Sequence, residues 1–335
     1  MAGIPSRRRP GTRRRPLRRR HPARIQAANS AVNHGAPPVV AIFGPTASGK
    51  SALVEALLAH LPDAEAVSAD SAAIYAGLPI ITAAPNHPAH LVGTVPLTDD
   101  VSVAEYQRSA HATIDAILDR GNTPIVVGGT GLYFRAALSA LTFPPAPSDE
   151  LRARWNSHYD ENGGDATYAL LAERDPRAAS RIHANDRRRV VRALELTELG
   201  SSLAPEGENR LWTDDMRRPT ILITLDGPAE MLDARIAQRA HEMAAAGAGD
   251  EAKRAWAEPL SDTARKILGL EQFATLAEGE AIDAVALATR QLARYQRKWL
   301  RRLPAAATLE FTRSLEELSD AVVSLAGSRK YLSRG

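Results

Sequence analysis

Eight consecutive residues have the types and the spacing of a loop that binds phosphate. They read Gly44-Pro45-Thr46-Ala47-Ser48-Gly49-Lys50-Ser51, the G-x-x-x-x-G-K-S spacing of the P-loop. In such a loop the backbone N–H groups point into one hollow, and the following helix directs the positive end of its dipole there. Lys50 would neutralise phosphate charge, and the Ser51 hydroxyl would bind Mg²⁺. The pattern predicts a polyphosphate site without identifying the molecule that carries the phosphates.

The residues on either side place this loop between a strand and a helix. Val39–Phe43 is an apolar, β-branched run typical of a buried strand, and Ala52–Leu58 has a helical pattern. Gly44 and Gly49 would let the backbone approach an anion without a Cβ atom in the way. A glycine-rich turn that binds nothing is the alternative, but the strand–loop–helix context favours the phosphate site.

A carboxylate follows the second predicted strand. The strand covers Glu65–Ala69, and Asp70 and Ser71 come directly after it. In an open α/β sheet, ligands collect at the carboxyl ends of the strands, so Asp70 is expected to lie beside the P-loop. Position alone leaves two interpretations open for Asp70, a ligand-binding carboxylate or the cap of a helix or turn.

A second glycine-rich turn follows the buried strand predicted at Pro124–Val127. The turn is Gly128-Gly129-Thr130-Gly131, and a helical pattern continues from it. It can bring another set of backbone N–H donors and the Thr130 hydroxyl to the same cleft. This signal is weak alone, because many strand-to-helix turns contain glycine.

Two arginines lie one helical turn apart after the strand predicted at Pro219–Leu225. Arg235 and Arg239 have i, i+4 spacing on a helix from Glu230 to about Ala246, so they share a face. They could clamp a pyrophosphate, or they could pair with Glu230 and Glu242.

These elements predict an α/β fold, a P-loop NTPase-like parallel sheet flanked by helices, with an inserted all-helical domain. The core would take residues 37–143 and 217–310, and the helical insertion 144–216, since residues 148–200 contain helical patterns and no strand. Residues 311–335 are expected to be loosely ordered.

Two arginine clusters are candidate nucleic-acid contacts, and for the first of them a solvated helix face is the alternative. The first cluster begins a helix in the insertion, and its members are Arg187, Arg188, Arg189 and Arg192. The second lies on a helix predicted at Val285–Leu303, with Arg290, Arg294, Arg297 and Arg301 on one side. The opposite side, with Leu292, Tyr295, Trp299 and Leu303, is predicted to face the core.

The composition excludes several classes of function. The chain has 335 residues and no cysteine, which excludes disulfides, cysteine-ligated zinc and thiol catalysis, and fits a reducing cytosol. No apolar run approaches the roughly 20 residues that a membrane span needs. We therefore expect a cytoplasmic protein with no membrane partner.

The first 36 residues are rich in arginine and proline and contain ten arginines but no acidic residue. Taking those ten charges from the net charge of +3 leaves −7 for the remaining residues, so attraction to nucleic acid must come from local patches or from this tail. We expect residues 1–36 to be disordered. Three explanations stay open: a basic arm that binds RNA phosphates, a targeting segment, or an extension from a misassigned start codon.

Six stretches together resemble one family, the tRNA dimethylallyltransferases (tRNA isopentenyltransferases). Gly44–Ser51 is similar to the family's G-P-T-A-S-G-K-[ST], Asp70–Tyr75 to D-S-x-x-[IV]-Y, Thr82–Pro85 to T-A-K-P, Gly128–Tyr133 to G-G-T-G-L-Y, Arg181–Glu195 to R-I-H-x-N-D-x-x-R-x-x-R-A-L-E, and Thr289–Arg302 to T-R-x-x-A-x-x-Q-x-x-W-x-R-R. The resemblance runs in order from about residue 38 to residue 303 and leaves out the arginine-rich tail.

The resemblance implies transfer of a dimethylallyl group from dimethylallyl diphosphate to the N6 amine of the adenine 3′ of the tRNA anticodon. Residues 44–51 would then hold the diphosphate leaving group instead of ATP, with Mg²⁺ at Ser51 offsetting its charge. Asp70 would accept a hydrogen bond from the adenine amine and take its proton. The implied catalytic residues are Asp70, Lys50, Thr130 and Arg239.

The resemblance also implies a tRNA-binding surface, with the inserted helical domain gripping the anticodon arm of tRNA. The implied contacts are Asp70, Ser71, Ala72, Ala73, Thr130, Arg152, Arg188, Arg189, Val190, Val191 and Arg192. The target base would have to leave its stack to reach a buried cleft. We expect a monomer.

The sequence departs from the family pattern at three positions. Ala84 stands where lysine is usual, Ile81 where glycine is usual, and Leu270 where tyrosine is usual in a segment that contacts tRNA. These departures leave a weakened enzyme or an altered choice of tRNA as possibilities.

Two other functions compete with prenyl transfer. The P-loop alone favours an ATP-dependent phosphotransferase or ATPase that acts on a small molecule or RNA. A catalytically silent RNA-binding module would need only the arginine clusters. The combined motifs around Asp70, Thr130 and the last arginine helix favour prenyl transfer.

Overall fold

A computed structural model describes residues 37–204 and 210–332. Its strands are β1 (Val39–Phe43), β2 (Ala64–Ser68), β3 (Ala89–His90), β4 (Thr123–Gly128), β5 (Thr220–Asp226) and β6 (Ala307–Glu310). They form a six-stranded sheet in the order β3-β2-β4-β1-β5-β6, and each pairing in it is parallel. The predicted tail, residues 1–36, lies outside the described residues.

Helices connect the strands and cover the sheet. They are α1 (Lys50–His60), α2 (Val103–Asp119), α3 (Gly131–Leu138), α4 (Asp149–Arg174), α5 (Pro176–Ala179), α6 (Arg187–Glu198), α7 (Ala229–Ala245), α8 (Ala248–Trp256), α9 (Leu270–Thr275), α10 (Glu278–Leu300) and α11 (Leu315–Leu332). The predicted class, a parallel α/β sheet flanked by helices, is confirmed. Among the helices that the structure describes, none combines the length and the apolar character needed to cross a bilayer.

Strand β1 is apolar throughout because both faces of the sheet are covered. Val39, Ala41 and Phe43 belong to one buried cluster, and Val40 and Ile42 belong to another. This alternation is the two-residue period of a strand, and the continuous apolar run is typical of a parallel sheet between two layers of helices. Helices α2 and α3 pack in the first cluster, and α1 and α11 pack in the second.

Helices α4 to α6 form a block with a hydrophobic cluster of its own. Trp155, Leu171 and Val190 are buried in that cluster. The sequence pattern predicts two helices in this region, Glu150–Asn162 and Thr167–Arg174. The structure shows a break between them, because Gly163 has a left-handed φ of 78° inside α4. Helices α4 and α6 contain most of the predicted tRNA contacts.

Helix α10 packs across the carboxyl edge of the sheet and differs from the prediction in which side is buried. It begins at Glu278 instead of Val285. Of the side chains predicted to face the core, Trp299 and Leu303 are buried, whereas Leu292 and Tyr295 are 38% and 54% exposed. Arg297, predicted for the arginine side, instead forms an ion pair of 3.0 Å with Asp226 at the end of β5. The buried side of α10 is rotated relative to the predicted one, so that it reaches the ends of the strands.

The C-terminal segment is helical over residues 315–332, although the sequence predicts loose order there. Residues 315–332 form α11, and its Leu318 and Val322 are buried in the same cluster as Leu53 and Leu57 of α1. Burial of this apolar face against the α1 layer stabilises the helix more than its local sequence would.

Substituting alanine for Gly131 tests the contact between α3 and α10. A Cβ atom at Gly131 would lie 2.0 Å from Cδ2 of Trp299, so Gly131→Ala should lower the free energy of unfolding by about 1–3 kcal/mol. Urea denaturation measures the change. Gly279→Ala is the control, because a Cβ atom there meets nothing within 4 Å and should raise the stability of α10 by up to about 1 kcal/mol. Equal stability of the two variants would contradict the packing described here.

Candidate active site

The P-loop is held in a conformation that leaves no room for side chains at its start. A Cβ atom at Gly44 would lie 2.7 Å from the Leu225 carbonyl oxygen and 2.8 Å from Ser48 Oγ. Gly49 has a φ of 89°, and Ala47 has a left-handed φ of 61° although it is not glycine. A strained residue of this kind is characteristic of functional loops, where the surrounding structure fixes the backbone.

The loop opens onto a cleft of about 610 Å³. Five of the eight predicted diphosphate-binding residues line this cleft, namely Thr46, Ala47, Gly49, Lys50 and Ser51. The other three do not line it: Gly44 packs against Leu225, Ser48 is buried, and Pro45 contributes its carbonyl group to the loop.

Asp70 lines the same cleft as Lys50 and Ser51. Its Oδ1 atom accepts hydrogen bonds from the backbone N–H groups of Ala72 (2.8 Å) and Ala73 (3.3 Å), so it also caps a turn. Its Oδ2 atom makes no hydrogen bond with the residues that the structure describes. Oδ1 therefore caps the turn, as one of the two interpretations predicts, and Oδ2 stays available for the ligand-binding role of the other.

Lys50 is a cation in a partly desolvated position. Its Nζ atom donates a hydrogen bond of 2.8 Å to the Pro45 carbonyl oxygen. Burial lowers the pKa of the Lys50 ammonium from 10.5 to about 8, the Asp70 carboxylate opposes that shift, and the positive charge of Arg239 adds to it. An anion in the cleft would favour the charged form of Lys50.

Arg239 reaches the P-loop from α7. Its Nη1 atom donates to Thr46 Oγ1 at 3.4 Å, and its side chain lines the cleft. Burial lowers the pKa of Arg239 below its usual value, while the carboxylates of Asp70 and Glu242 oppose that shift. Arg235, one turn earlier, also lines the cleft and stacks over the Phe311 ring at 4.7 Å. Both Arg235 and Arg239 line the cleft, which is compatible with the first of the two predicted alternatives, a clamp for a pyrophosphate.

Thr130 supports the Asp70 turn from the neighbouring strand. Its Oγ1 atom accepts from the Ser71 backbone N–H at 3.4 Å and lies 3.4 Å from Ser71 Oγ. The lining of the cleft includes Gly128 and Gly129 from this segment but not Thr130 itself. The second glycine turn therefore reaches the site mainly through its backbone.

Sequence reasoning assigned no role to Gln296, which lies at the centre of the site. Its Oε1 atom accepts from the Thr46 backbone N–H at 2.7 Å, and the residue lines the cleft. Gln296 belongs to one of the stretches quoted for the resemblance, so a signal was present. The orientation of α10, which turns Gln296 toward the P-loop, is not evident from the sequence.

A buried carboxylate fixes the loop that forms the opposite wall of the cleft. Glu251 of α8 accepts from the backbone N–H groups of Ile80 (3.1 Å) and Ile81 (2.8 Å). The wall residues that follow include Ala84 and His87. No sequence motif pointed to Glu251, because its partners are backbone groups 170 and 171 residues away.

The three departures from the family pattern occupy different environments. Ile81 and Leu270 are 5% and 0% exposed and belong to one hydrophobic cluster, where a Cβ atom at Gly269 would lie 3.6 Å from Ile81 Cγ2. Leu270 therefore fills the core, and its side chain cannot reach RNA. Ala84 lines the cleft and is the departure that can affect a bound ligand.

The predicted tRNA contacts on α6 divide into exposed and buried side chains. Arg188 and Arg189 are exposed, and Arg189 lies 3.6 Å from Asp186. Val190 and Val191 are 0% and 5% exposed, so the contact predicted for them would have to come from their backbone. The helical period explains this, because the positions after Arg189 turn toward the core of the block.

Arg192 and Arg152 are already engaged within the protein. Arg192 pairs with the buried Glu195 at 3.0 Å and donates to the Pro145 carbonyl oxygen at 2.7 Å. Arg152 is half-buried and lies 3.6 Å from Asp149. Arg192 therefore ties α6 to the segment before α4, whereas the Arg152 contact lies within α4. For Arg192, a contact with tRNA would be an additional role.

The cleft contains oxygen atoms of the type that Mg²⁺ binds. The Ser51 hydroxyl lines it together with the carboxylates of Glu55, Asp70 and Glu242. Within the described part of the chain, no cluster of three or more His, Asp or Glu side chains could hold a metal ion alone. Mg²⁺ commonly takes one or two protein ligands and completes its shell with phosphate and water, so these residues fit an ion that binds together with a diphosphate.

Comparison with known proteins identifies relatives along most of the chain. The family model described as IPP transferase matches residues 73–303. A tRNA dimethylallyltransferase from Kineococcus radiotolerans is 40% identical over 287 residues, which cover 80% of this chain and 89% of the relative. One from Streptomyces avermitilis is 42% identical over 282 residues, with 80% and 89% covered.

Solved structures also resemble this chain in fold. The full-length tRNA isopentenylpyrophosphate transferase from Bacillus halodurans superposes with a TM-score of 0.62 and 27% identity, covering 89% of this chain and 100% of that one. A eukaryotic dimethylallyltransferase acting on tRNA has a TM-score of 0.68 over 89% of this chain and 80% of its own, at 22% identity. At 22% identity, the similarity to the eukaryotic structure shows a shared fold and nothing more.

The lowered pKa of Lys50 predicts how anion binding depends on pH. Below about pH 8 the ammonium is charged and attracts a phosphate group, and above it the proton is lost. The affinity for inorganic diphosphate, measured by calorimetry, should therefore fall by about tenfold between pH 7 and pH 9.

Lys50→Arg is the control for titration of the diphosphate itself, since a guanidinium stays charged over this range. The variant should lose less affinity than the wild type between the two pH values. The same pH dependence in both proteins would show that Lys50 does not carry the effect.

Proposed function

Because this chain belongs to the IPP transferase family, we propose that it transfers a dimethylallyl group from dimethylallyl diphosphate to the N6 amine of the adenine 3′ of the anticodon in tRNA. The observation that carries the proposal is the single cleft that Lys50, Ser51, Asp70 and Arg239 share. The cationic groups and the carboxylate match the two charges that the reaction develops. The ATP-dependent alternative gains no support from the relatives, which are named as transferases that act on tRNA.

The reaction breaks one bond and forms another. The C–O bond between the allylic carbon and diphosphate breaks, its electron pair leaves with the diphosphate, and adenine N6 forms a C–N bond to that carbon. Negative charge grows on the leaving group, where the ammonium of Lys50 and the guanidinium of Arg239 stabilise it. The Mg²⁺ that we propose would supply further positive charge when held at Ser51.

Asp70 handles the proton that the amine must lose. As N6 forms its new bond it becomes positively charged, and a nearby carboxylate accepts one of its protons. We assign this role to Oδ2 of Asp70, because Oδ1 is committed to the Ala72 and Ala73 backbone. The capped turn fixes the carboxylate, so the amine meets a base that is already oriented.

The helical block is proposed to bind the anticodon arm. Arg188 and Arg189 are exposed at the start of α6, where phosphate groups can approach them. The target base must leave its stack to enter the cleft, and unstacking is a cost that contacts elsewhere on the RNA have to offset.

We propose that the protein acts as a monomer. The substrate is tRNA, and we therefore place the activity in the cytoplasm.

A transfer assay tests the proposed function directly. The protein is incubated with labelled dimethylallyl diphosphate and an anticodon stem-loop, and label should appear on the adenine. Rapid ATP turnover without label on the RNA would overturn the proposal.

Asp70→Asn separates the two functions of this side chain. Asparagine keeps the Oδ1 acceptor of the turn but cannot take a proton, so kcat should fall by about 10²- to 10⁴-fold while stem-loop affinity stays nearly unchanged. Asp70→Ala should also abolish transfer and, in addition, lower stability by about 1 kcal/mol.

The control is Asp63→Asn, at the opposite end of β2, which should leave kcat unchanged. A large loss of RNA binding in Asp70→Asn, with kcat retained, would make Asp70 a purely structural residue.

Removing one exposed arginine tests the RNA surface. Arg188 forms no ion pair with the described residues, so Arg188→Ala should weaken stem-loop binding by several-fold and reduce the salt slope of log K by about 1. Arg313→Ala removes the same charge from an exposed turn outside the helical block and should change neither quantity. Identical salt slopes for both variants would exclude α6 from the interface.

A further inference from the structure

The amide of Gln296 has a defined orientation. A backbone N–H group can only donate, so the side-chain atom that lies 2.7 Å from the Thr46 nitrogen must be the acceptor Oε1. The NH₂ group at Nε2 consequently points away from Thr46. It lies beside Gly129, where a Cβ atom would come within 2.5 Å of Nε2.

This NH₂ group is an unused donor in an almost wholly buried side chain. Gln296 is 4% exposed, and Nε2 donates to no group among the described residues. Nε2 is not among the wholly buried atoms that lack a hydrogen-bond partner in the described residues, so this end of the amide is open to the cleft. Since Gln296 lines the cleft, the missing acceptor is expected to come from a molecule bound there.

The charges of the cleft indicate which acceptor that is. Glu55, Asp70 and Glu242 also line the cleft, so the local arrangement decides. Arg239 contacts Thr46, the partner of Gln296, and Lys50 follows in the same loop, so the cations at this loop favour an anion there. Accordingly, we propose that Gln296 Nε2 donates a hydrogen bond to an oxygen of the diphosphate group. This inference rests on the proposed function and adds Gln296 to the residues that bind the leaving group.

Two contacts on the same helix fix the position of Gln296. Arg297 is paired with Asp226 at 3.0 Å, and Trp299 packs so closely on Gly131 that no Cβ atom fits between them. The donor is thus held before the ligand arrives, and no rearrangement is needed to present it. Through Oε1 and Nε2, one amide can position the P-loop and bind the anion at once.

Gln296→Glu tests the donor with almost no change in shape. The carboxylate keeps an oxygen that accepts from Thr46, but it replaces the N–H donors with negative charge. Calorimetry with inorganic diphosphate should show affinity lower by about 10- to 100-fold, because a charged hydrogen bond is lost and repulsion is added. Gln291→Glu is the matched control, since it puts the same charge on an exposed position of α10 and should bind diphosphate like the wild type.

Equal affinity of Gln296→Glu and Gln291→Glu for diphosphate would overturn the inference. If Gln296→Glu lowers the midpoint of thermal unfolding, the uncharged variant Gln296→Met carries the test, with weaker diphosphate binding expected and unchanged binding contradicting us. Failure of the wild type to bind diphosphate or to transfer the dimethylallyl group would instead overturn the proposed function.

Discussion

The parallel register of three neighbouring strands is the constraint on which the site depends. Phe43 at the end of β1 pairs with Gly128 of β4, and Val127 of β4 pairs with Ser68 of β2. The three strands therefore end at the same edge of the sheet, at nearly the same level along the strand direction. Their next residues are the P-loop, the second glycine turn and Asp70, so the anion-binding loop and the carboxylate meet in one cleft.

The charged groups in this cleft are arranged for a ligand more than for the stability of the free protein. Burial lowers the pKa values of Lys50 and Arg239, which means that their charged forms lose hydration there. In the reaction that we propose, a bound diphosphate would restore favourable interactions to both cations and would gain charge as the leaving group. The cost of desolvating the cations would then be converted into stabilisation of the transition state.

Local patterns predicted most of the fold and part of the site. The P-loop, the strand before it and the strand before Asp70 follow from spacing and periodicity. The rotation of α10 could not be predicted from its own sequence. That rotation is set by contacts with Gly131 and Asp226, which lie far from α10 in the sequence. The pattern of α10 alone therefore places Arg297 on the solvent side and indicates no role for Gln296.

The block of helices α4 to α6 also shows where prediction from local sequence patterns fails. A run of arginines and valines on α6 reads as one basic segment, but the helical period sends Val190 and Val191 into the core and leaves Arg188 and Arg189 outside. Glu251 gave no signal, because its partners are backbone groups of a distant loop. Contacts of this type depend on tertiary packing, which spacing along the chain does not encode.

In the mechanism that we propose, one cleft holds the diphosphate at the P-loop while Asp70 receives the adenine amine. A crystal structure with an unreactive thio-analogue of dimethylallyl diphosphate and an anticodon stem-loop measures this directly. We expect an extruded adenine with N6 within about 3.2 Å of Asp70 Oδ2, and diphosphate oxygens against Lys50 and Gln296. An adenine that remains stacked in the RNA, or a diphosphate bound away from the P-loop, would contradict it.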